Sequence, residues 1–274
     1  MKEHAVTFAS QSLVGVLTDA DHADKPGLPA VVFLNAGMLH RVGPNRLHVR
    51  LARNLARRGF TSLRFDRSGV GDSPARTDGL PLRDAALGDV RDALDFLAAE
   101  RGASSFILVG LCSGADLAFR AALVDERIGA AILIDGLPYR TLRSRLHYYV
   151  SRLMRRGGWR RLFARDGPLW RRLRRAQRPA SPATASRQRD VPTKVDAEAG
   201  LRALTERGVR FLLLYTHGRE YTYCRQFKHM FPSVRFDHVD VSYFRDADHT
   251  FTLRANQEIL VRAVDEWISR FQQA

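Results

Sequence analysis

The chain has 274 residues, 45 % hydrophobic and 27 % charged, so it can bury the core of one large domain, and its longest apolar runs fall short of the roughly 18 residues a bilayer span needs. Two cysteines, Cys112 and Cys224, exclude a disulfide framework, and a start that alternates polar and apolar residues, with no apolar signal region, predicts a cytoplasmic protein. The net charge of +15 is local: Arg140 to Arg189 holds sixteen arginines, no lysine and one acid, Asp166, while the rest balances 28 basic against 28 acidic residues, a pattern that argues against a general nucleic-acid binder.

In chain order, "HAVTF" and "SLVGVL" alternate as an antiparallel hairpin would, and "PAVVFLN" is a near-continuous apolar run of the kind buried on both faces. A repeating pattern follows. "RLHVRLARNLARRG" reads as a helix, "FTSLRFD" as a strand, "LRDAALGDVRDALDFLAAERG" as a helix and "SFILVGL" as a strand; then come the helix "ADLAFRAALVDE" and the strand "GAAILID". Such alternation implies a mostly parallel, right-handed crossover sheet with helices on both faces. It stops at Gly136 and resumes near Asp196 with the helix "DAEAGLRALTERG", the strand "VRFLLLYT", a helix near "YCRQFKHMF", the strand "RFDHVDV" and a last helix, "ANQEILVRAVDEWISRF". The core is therefore expected over residues 1–136 and 191–274, interrupted by an arginine-rich helical lid over 137–190, where Leu142, Leu146, Tyr149 and Leu153 form one apolar stripe.

The junction "LVGLCSGADLAF" lies between a predicted strand and helix and fits the pattern of the α/β-hydrolase nucleophile elbow, G-x-S-x-G, with cysteine in place of serine. A sharp strand-to-helix turn needs small residues two before and two after its centre. Centred on Cys112 those positions are Gly110 and Gly114; centred on Ser113 they would be Leu111 and Ala115. Cys112 is thus the expected nucleophile, and the Ser113 N–H an oxyanion donor.

A thiol needs a base, and the chain order of this fold is nucleophile, acid, histidine. His249 in "DADHTF" precedes the last helix, where the base belongs; His40, His48, His217 and His229 fall near strand ends or on helix faces. Glu220 in "THGREY" is the carboxylate expected after the strand "FLLLYT", with Asp248 as the alternative acid. The loop Asn35, Ala36, Gly37, Met38 should bring the second oxyanion donor, the N–H of Gly37 or a neighbour. In "FDRSGVGDSP", Pro74 stands where a dinucleotide fingerprint has its third glycine, so the segment reads as a structural loop, and no metal or cofactor motif is present.

Taken together, "HRVGPNRLHVRLARNLARRGFTSLRFDRSGVGDS", "GLCSGA", "HYYVSRLMRRGGWRRLF", "GRE" and "DADHTF" resemble, over nearly the whole length, the type 1 α/β-hydrolases associated with exosortase A systems. The resemblance implies Cys112 as nucleophile, Glu220 where that group usually has aspartate, and His249 as base. A looser similarity, resting on the Cys-acid-His set, is to cysteine-dependent thioesterase-like acyltransferases. A cysteine exchanges one thioester for another of nearly equal energy, so the expected activity is hydrolysis or transfer of an acyl group carried on a thioester or ester. The basic lid either keeps its arginines in solvent or receives a polyanion: an acidic carrier protein, the phosphates of coenzyme A or an anionic membrane surface. The alternative is a non-catalytic accessory protein that binds such a partner through its lid.

Overall fold

The computed structural model describes residues 1–10, 12–21, 27–139, 141, 143–144, 146, 191–218 and 220–272. The arginine-rich insertion expected over 137–190 lies almost wholly outside these residues.

Eight strands form one sheet: β1 (Glu3–Phe8), β2 (Leu13–Thr18), β3 (Ala30–Leu34), β4 (Ser62–Asp66), β5 (Phe106–Leu111), β6 (Ile128–Ile134), β7 (Arg210–Thr216) and β8 (Val239–Phe244). Their order is β1-β2-β4-β3-β5-β6-β7-β8. The hairpin β1–β2 and the β2–β4 pair are antiparallel, and all other pairs are parallel. The helices are α1 (Leu47–Arg57), α2 (Leu82–Arg101), α3 (Ser113–Val124), α4 (Lys194–Glu206), α5 (Gln226–Met230) and α6 (Arg254–Ile268).

Side-chain alternation along the strands divides the core between the two faces of the sheet. On β5, Phe106 and Leu108 join the apolar cluster that also holds Leu94 of α2, Phe119 of α3, Leu201 of α4 and Phe227 of α5. Ile107, Val109 and Leu111 join the other, with Leu51 and Leu55 of α1 and Leu260, Val264 and Trp267 of α6. Helices on both faces explain why β3, β5, β6 and β7 read as near-continuous apolar runs. The last strand begins at Val239, later than "RFDHVDV" suggested, because the chain turns at Phe236, whose carbonyl accepts from the Val239 N–H. Among the described residues no helix is long and apolar enough to cross a membrane.

In a parallel sheet the loops that leave the carboxyl ends of the strands share one edge, and ligand sites form there. The loops after β3, β4, β5, β6, β7 and β8 carry Gly37, Arg67, Cys112, Asp135, Glu220 and His249 to that edge.

Candidate active site

Cys112 sits between β5 and α3 with φ 59° and ψ −119°, a backbone conformation that side-chain-bearing residues rarely adopt. The two glycines that flank it are required by space. A Cβ on Gly110 would lie 2.2 Å from the Gly114 carbonyl oxygen, and one on Gly114 would lie 2.7 Å from that of Asn35. The small-residue frame read from the sequence is thus the frame the chain adopts, and it presents Cys112 partly exposed at the sheet edge. Carbonyls of the neighbouring strands hold the turn: the Cys112 N–H donates to Ile134 at 2.8 Å.

His249 is brought to Cys112 and is hydrogen-bonded to it. Its loop is built by Asp248, whose carboxylate accepts the N–H of Thr252 at 2.9 Å and the hydroxyls of Thr250 and Thr252 at 2.7 and 2.8 Å. Burial works against the charge, but these bonds outweigh it and hold the Asp248 carboxyl down at about 2. Asp248, the alternative acid, is therefore a brace for the histidine loop, with its oxygens turned to the threonines.

The carboxylate facing the imidazole is Asp135, the residue after β6, whose Oδ2 is 2.7 Å from His249 Nδ1. Thr216, at the end of β7, fixes it by donating its N–H at 2.7 Å to Oδ1 and its hydroxyl at 2.6 Å to Oδ2. From the other side, Asp116 of α3 accepts the Leu137 N–H at 3.0 Å and ties down the loop leaving β6. Asp135 itself has φ 50°, strain that these bonds sustain. The bond to Asp135, then that to Cys112, raise the His249 pKa to about 10 against the cost of burial.

Glu220, expected as the acid, is not at the imidazole. The Gly218 N–H donates to the Tyr221 carbonyl at 2.8 Å, and Gln226 Nε2 donates to the Glu220 carbonyl at 2.6 Å. Tyr221 stacks on Tyr215 with ring centroids 3.8 Å apart. Turning Tyr221 into the core leaves the Glu220 side chain exposed, with no hydrogen bond among the described residues. The signal for Asp135 was present in "ILIDG": a carboxylate ending a buried apolar strand, at the edge where ligands bind.

Both expected oxyanion donors reach the site edge. The Ser113 N–H opens α3, where helix geometry gives it no intrahelical partner. The Gly37 N–H instead donates to Ser113 Oγ at 2.7 Å. Asn35 pins that loop by donating to the Leu39 carbonyl at 2.8 Å and accepting the Arg67 N–H at 2.9 Å. The segment "FDRSGVGDSP" wraps Asp66, which is fully buried and accepts the N–H groups of Arg41 at 2.6 Å and Asp72 at 3.1 Å; a Cβ on Gly71 would collide with its carboxylate. His40, Asp66 and Asp72 lie close enough to share a cation, but Arg41 Nη1 already binds both carboxylates.

The sequence profile of the alpha/beta hydrolase fold family matches residues 29–263. The chain belongs to that family. Among solved structures, this alpha/beta hydrolase is similar to a serine hydrolase homologue from Coxiella burnetii at 15 % identity and TM-score 0.56, covering 95 % of this chain and 96 % of that one. An esterase from Pyrococcus furiosus is similar at 14 % identity and TM-score 0.59, with 99 % and 90 % covered. A serine hydrolase without a lid from Xanthomonas campestris is similar at 17 % identity and TM-score 0.56, with 97 % and 95 % covered. Among curated proteins none matches the sequence. At these identities the likenesses carry the fold of this alpha/beta hydrolase, and its chemistry is read from its own residues.

Proposed function

We propose that this hydrolase acts on acyl thioesters or esters through an acyl-cysteine intermediate on Cys112, with His249 moving the proton and Asp135 orienting it. The observation that carries the reading is one hydrogen-bonded line, Asp135 to His249 to Cys112, ending on a cysteine held at φ 59° between two obligatory glycines.

An imidazole kept protonated up to about pH 10 cannot accept a further proton. The reactive form is then the one in which the proton has already passed from sulfur to imidazole, leaving a thiolate opposite an imidazolium. Sγ attacks the acyl carbon, the carbonyl electron pair moves to oxygen, and the Ser113 N–H receives the oxyanion. As the tetrahedral centre collapses, the bond to the leaving group breaks and His249 gives that group its proton. Water, or a second thiol, then attacks the acyl-cysteine, gives its proton to His249 and carries the acyl group away. Because a thioester on sulfur is nearly equal in energy to the one it came from, both hydrolysis and transfer remain downhill or level. The arginine-rich sequence supports a substrate presented on a polyanion, such as a carrier protein or coenzyme A.

Intact-mass spectrometry after incubation with acyl-coenzyme A and p-nitrophenyl esters tests the reading. An acyl adduct is expected on the wild type and absent from Cys112→Ala. No adduct and no turnover, in the wild type as in Cys112→Ala, would leave a non-catalytic partner-binding protein as the better account.

A further inference from the structure

Ser113 has a side chain as well as an N–H, and its hydroxyl occupies a telling place. Ser113 Oγ accepts the Gly37 N–H at 2.7 Å, a bond that spans 76 residues of sequence. This N–H is the group the loop after β3 would otherwise direct at a substrate oxyanion. It has one proton to give, so while Oγ holds it, Gly37 makes no direct bond to substrate.

The loop has little freedom to offer the proton elsewhere. Besides the two bonds that Asn35 makes to the Leu39 carbonyl and from Arg67, Asn35 Nδ2 also donates to Asp66 at 3.1 Å, and Arg67 donates to the Gly37 carbonyl at 3.1 Å. The Leu39 N–H closes the turn on Ala36 at 3.1 Å. Asn35 and Asp66 are buried. A hydroxyl has one proton and two lone pairs. With a lone pair taken by Gly37, the Ser113 O–H is left to donate, on the same residue whose N–H opens α3 beside Cys112, and a hydroxyl that accepts one hydrogen bond is a stronger donor of the next.

We propose that Ser113 is a catalytic residue through its side chain: its hydroxyl, anchored by Gly37, is the second oxyanion donor, next to the Ser113 N–H. The assignment rests on Cys112 as the acylated nucleophile. The hydroxyl keeps its proton throughout and stabilises the oxyanion by hydrogen bonding alone, so the transfer between Cys112 and His249 is unaltered. An oxyanion bound this way lies one hydroxyl farther from Gly37 than a direct contact would put it. Ser113→Ala therefore removes a donor that the pinned loop cannot replace by a small shift.

The test is pre-steady-state release of p-nitrophenolate from p-nitrophenyl acetate, with intact mass to locate the acetyl group and circular dichroism to verify folding. Ser113→Ala is expected to acetylate Cys112 about 10- to 100-fold more slowly, below the full effect of losing an oxyanion donor because the backbone N–H remains. Half-saturation should hold, since the bond strengthens only as charge develops. Ser113→Thr, which keeps the hydroxyl, should stay within about threefold of wild type. Acetylation of Ser113→Ala at the wild-type rate or faster would mean that the hydroxyl only blocks Gly37, and would overturn the assignment while leaving Cys112 intact. Equal losses in the alanine and threonine variants would mark a packing role and overturn it too. Absence of acetyl-Cys112 in the wild type would overturn both the nucleophile and this donor.

Discussion

Asp135→Asn separates the acid found at His249 from the one the sequence suggested. Asp135 Oδ1 accepts the Thr216 N–H, a backbone group that cannot turn away, so the asparagine must keep its carbonyl there. Its amide NH2 then takes the place of Oδ2, facing the Thr216 hydroxyl and His249 Nδ1. The hydroxyl can rotate and become the acceptor. The imidazole can oblige only by carrying its proton on Nε2, which leaves no lone pair toward Cys112 and no carboxylate to sustain the imidazolium. A hydrogen bond to a charged group contributes about 1.5–3 kcal/mol, or about one to two powers of ten in rate. With the His249 side chain 49 % exposed, solvent screens part of the charge term. The wrong tautomer adds a comparable loss, so kcat/KM should fall about 100- to 10 000-fold in Asp135→Asn. Glu220→Gln should stay within about twofold, as expected of an exposed side chain that makes no bond to the imidazole. The assay is hydrolysis of a p-nitrophenyl ester at pH 7.5, with thermal denaturation to show that both variants fold. Asp135→Asn retaining half of wild-type activity, or Glu220→Gln losing most of it, would refute the reasoning.

Four further outcomes are expected. Thr216→Val deletes the hydroxyl bond to Asp135 Oδ2 but keeps the backbone one, so kcat/KM should fall about 3- to 20-fold in the same assay, with the fold retained. Gly110→Ala puts a Cβ 2.2 Å from a backbone oxygen and should cost about 3 kcal/mol, at the upper end for overpacking, read from the urea midpoint. Burial of His48 drives its pKa down to about 4; the unfolded chain binds a proton near pH 6.5 that the folded one refuses. Its stabilising effect is thus complete above pH 6.5 and lost as pH falls toward 4, by about 3 kcal/mol in all, and His48→Leu should flatten that part of a stability–pH curve. Raising salt from about 0.1 to 1 M shortens the screening length from about 10 to 3 Å. KM for an acyl-coenzyme A should rise steeply over that range while KM for a neutral ester holds, as expected if the arginine-rich segment attracts the phosphates.

What the sequence determined by itself is what local pattern encodes. Near-continuous apolar runs marked β3, β5, β6 and β7, 3.6-residue periodicity marked α1, α2, α4 and α6, and two glycines around Cys112 set the elbow, because each of these is a constraint on neighbours in the chain. His249 was legible from the order of the elements, as the histidine in the loop before the last helix. The acid was decided by tertiary structure. Glu220 and Asp135 both follow apolar strands and are alike in pattern. The choice between them rests on whether Tyr221 packs on Tyr215 and on which strand Thr216 can reach. The same holds for the bond from Gly37 to Ser113, two loops far apart in sequence that meet only because β3 and β5 are neighbours in a parallel sheet. Spacing within a segment specifies which elements form, and register between distant strands specifies which side chains face one another.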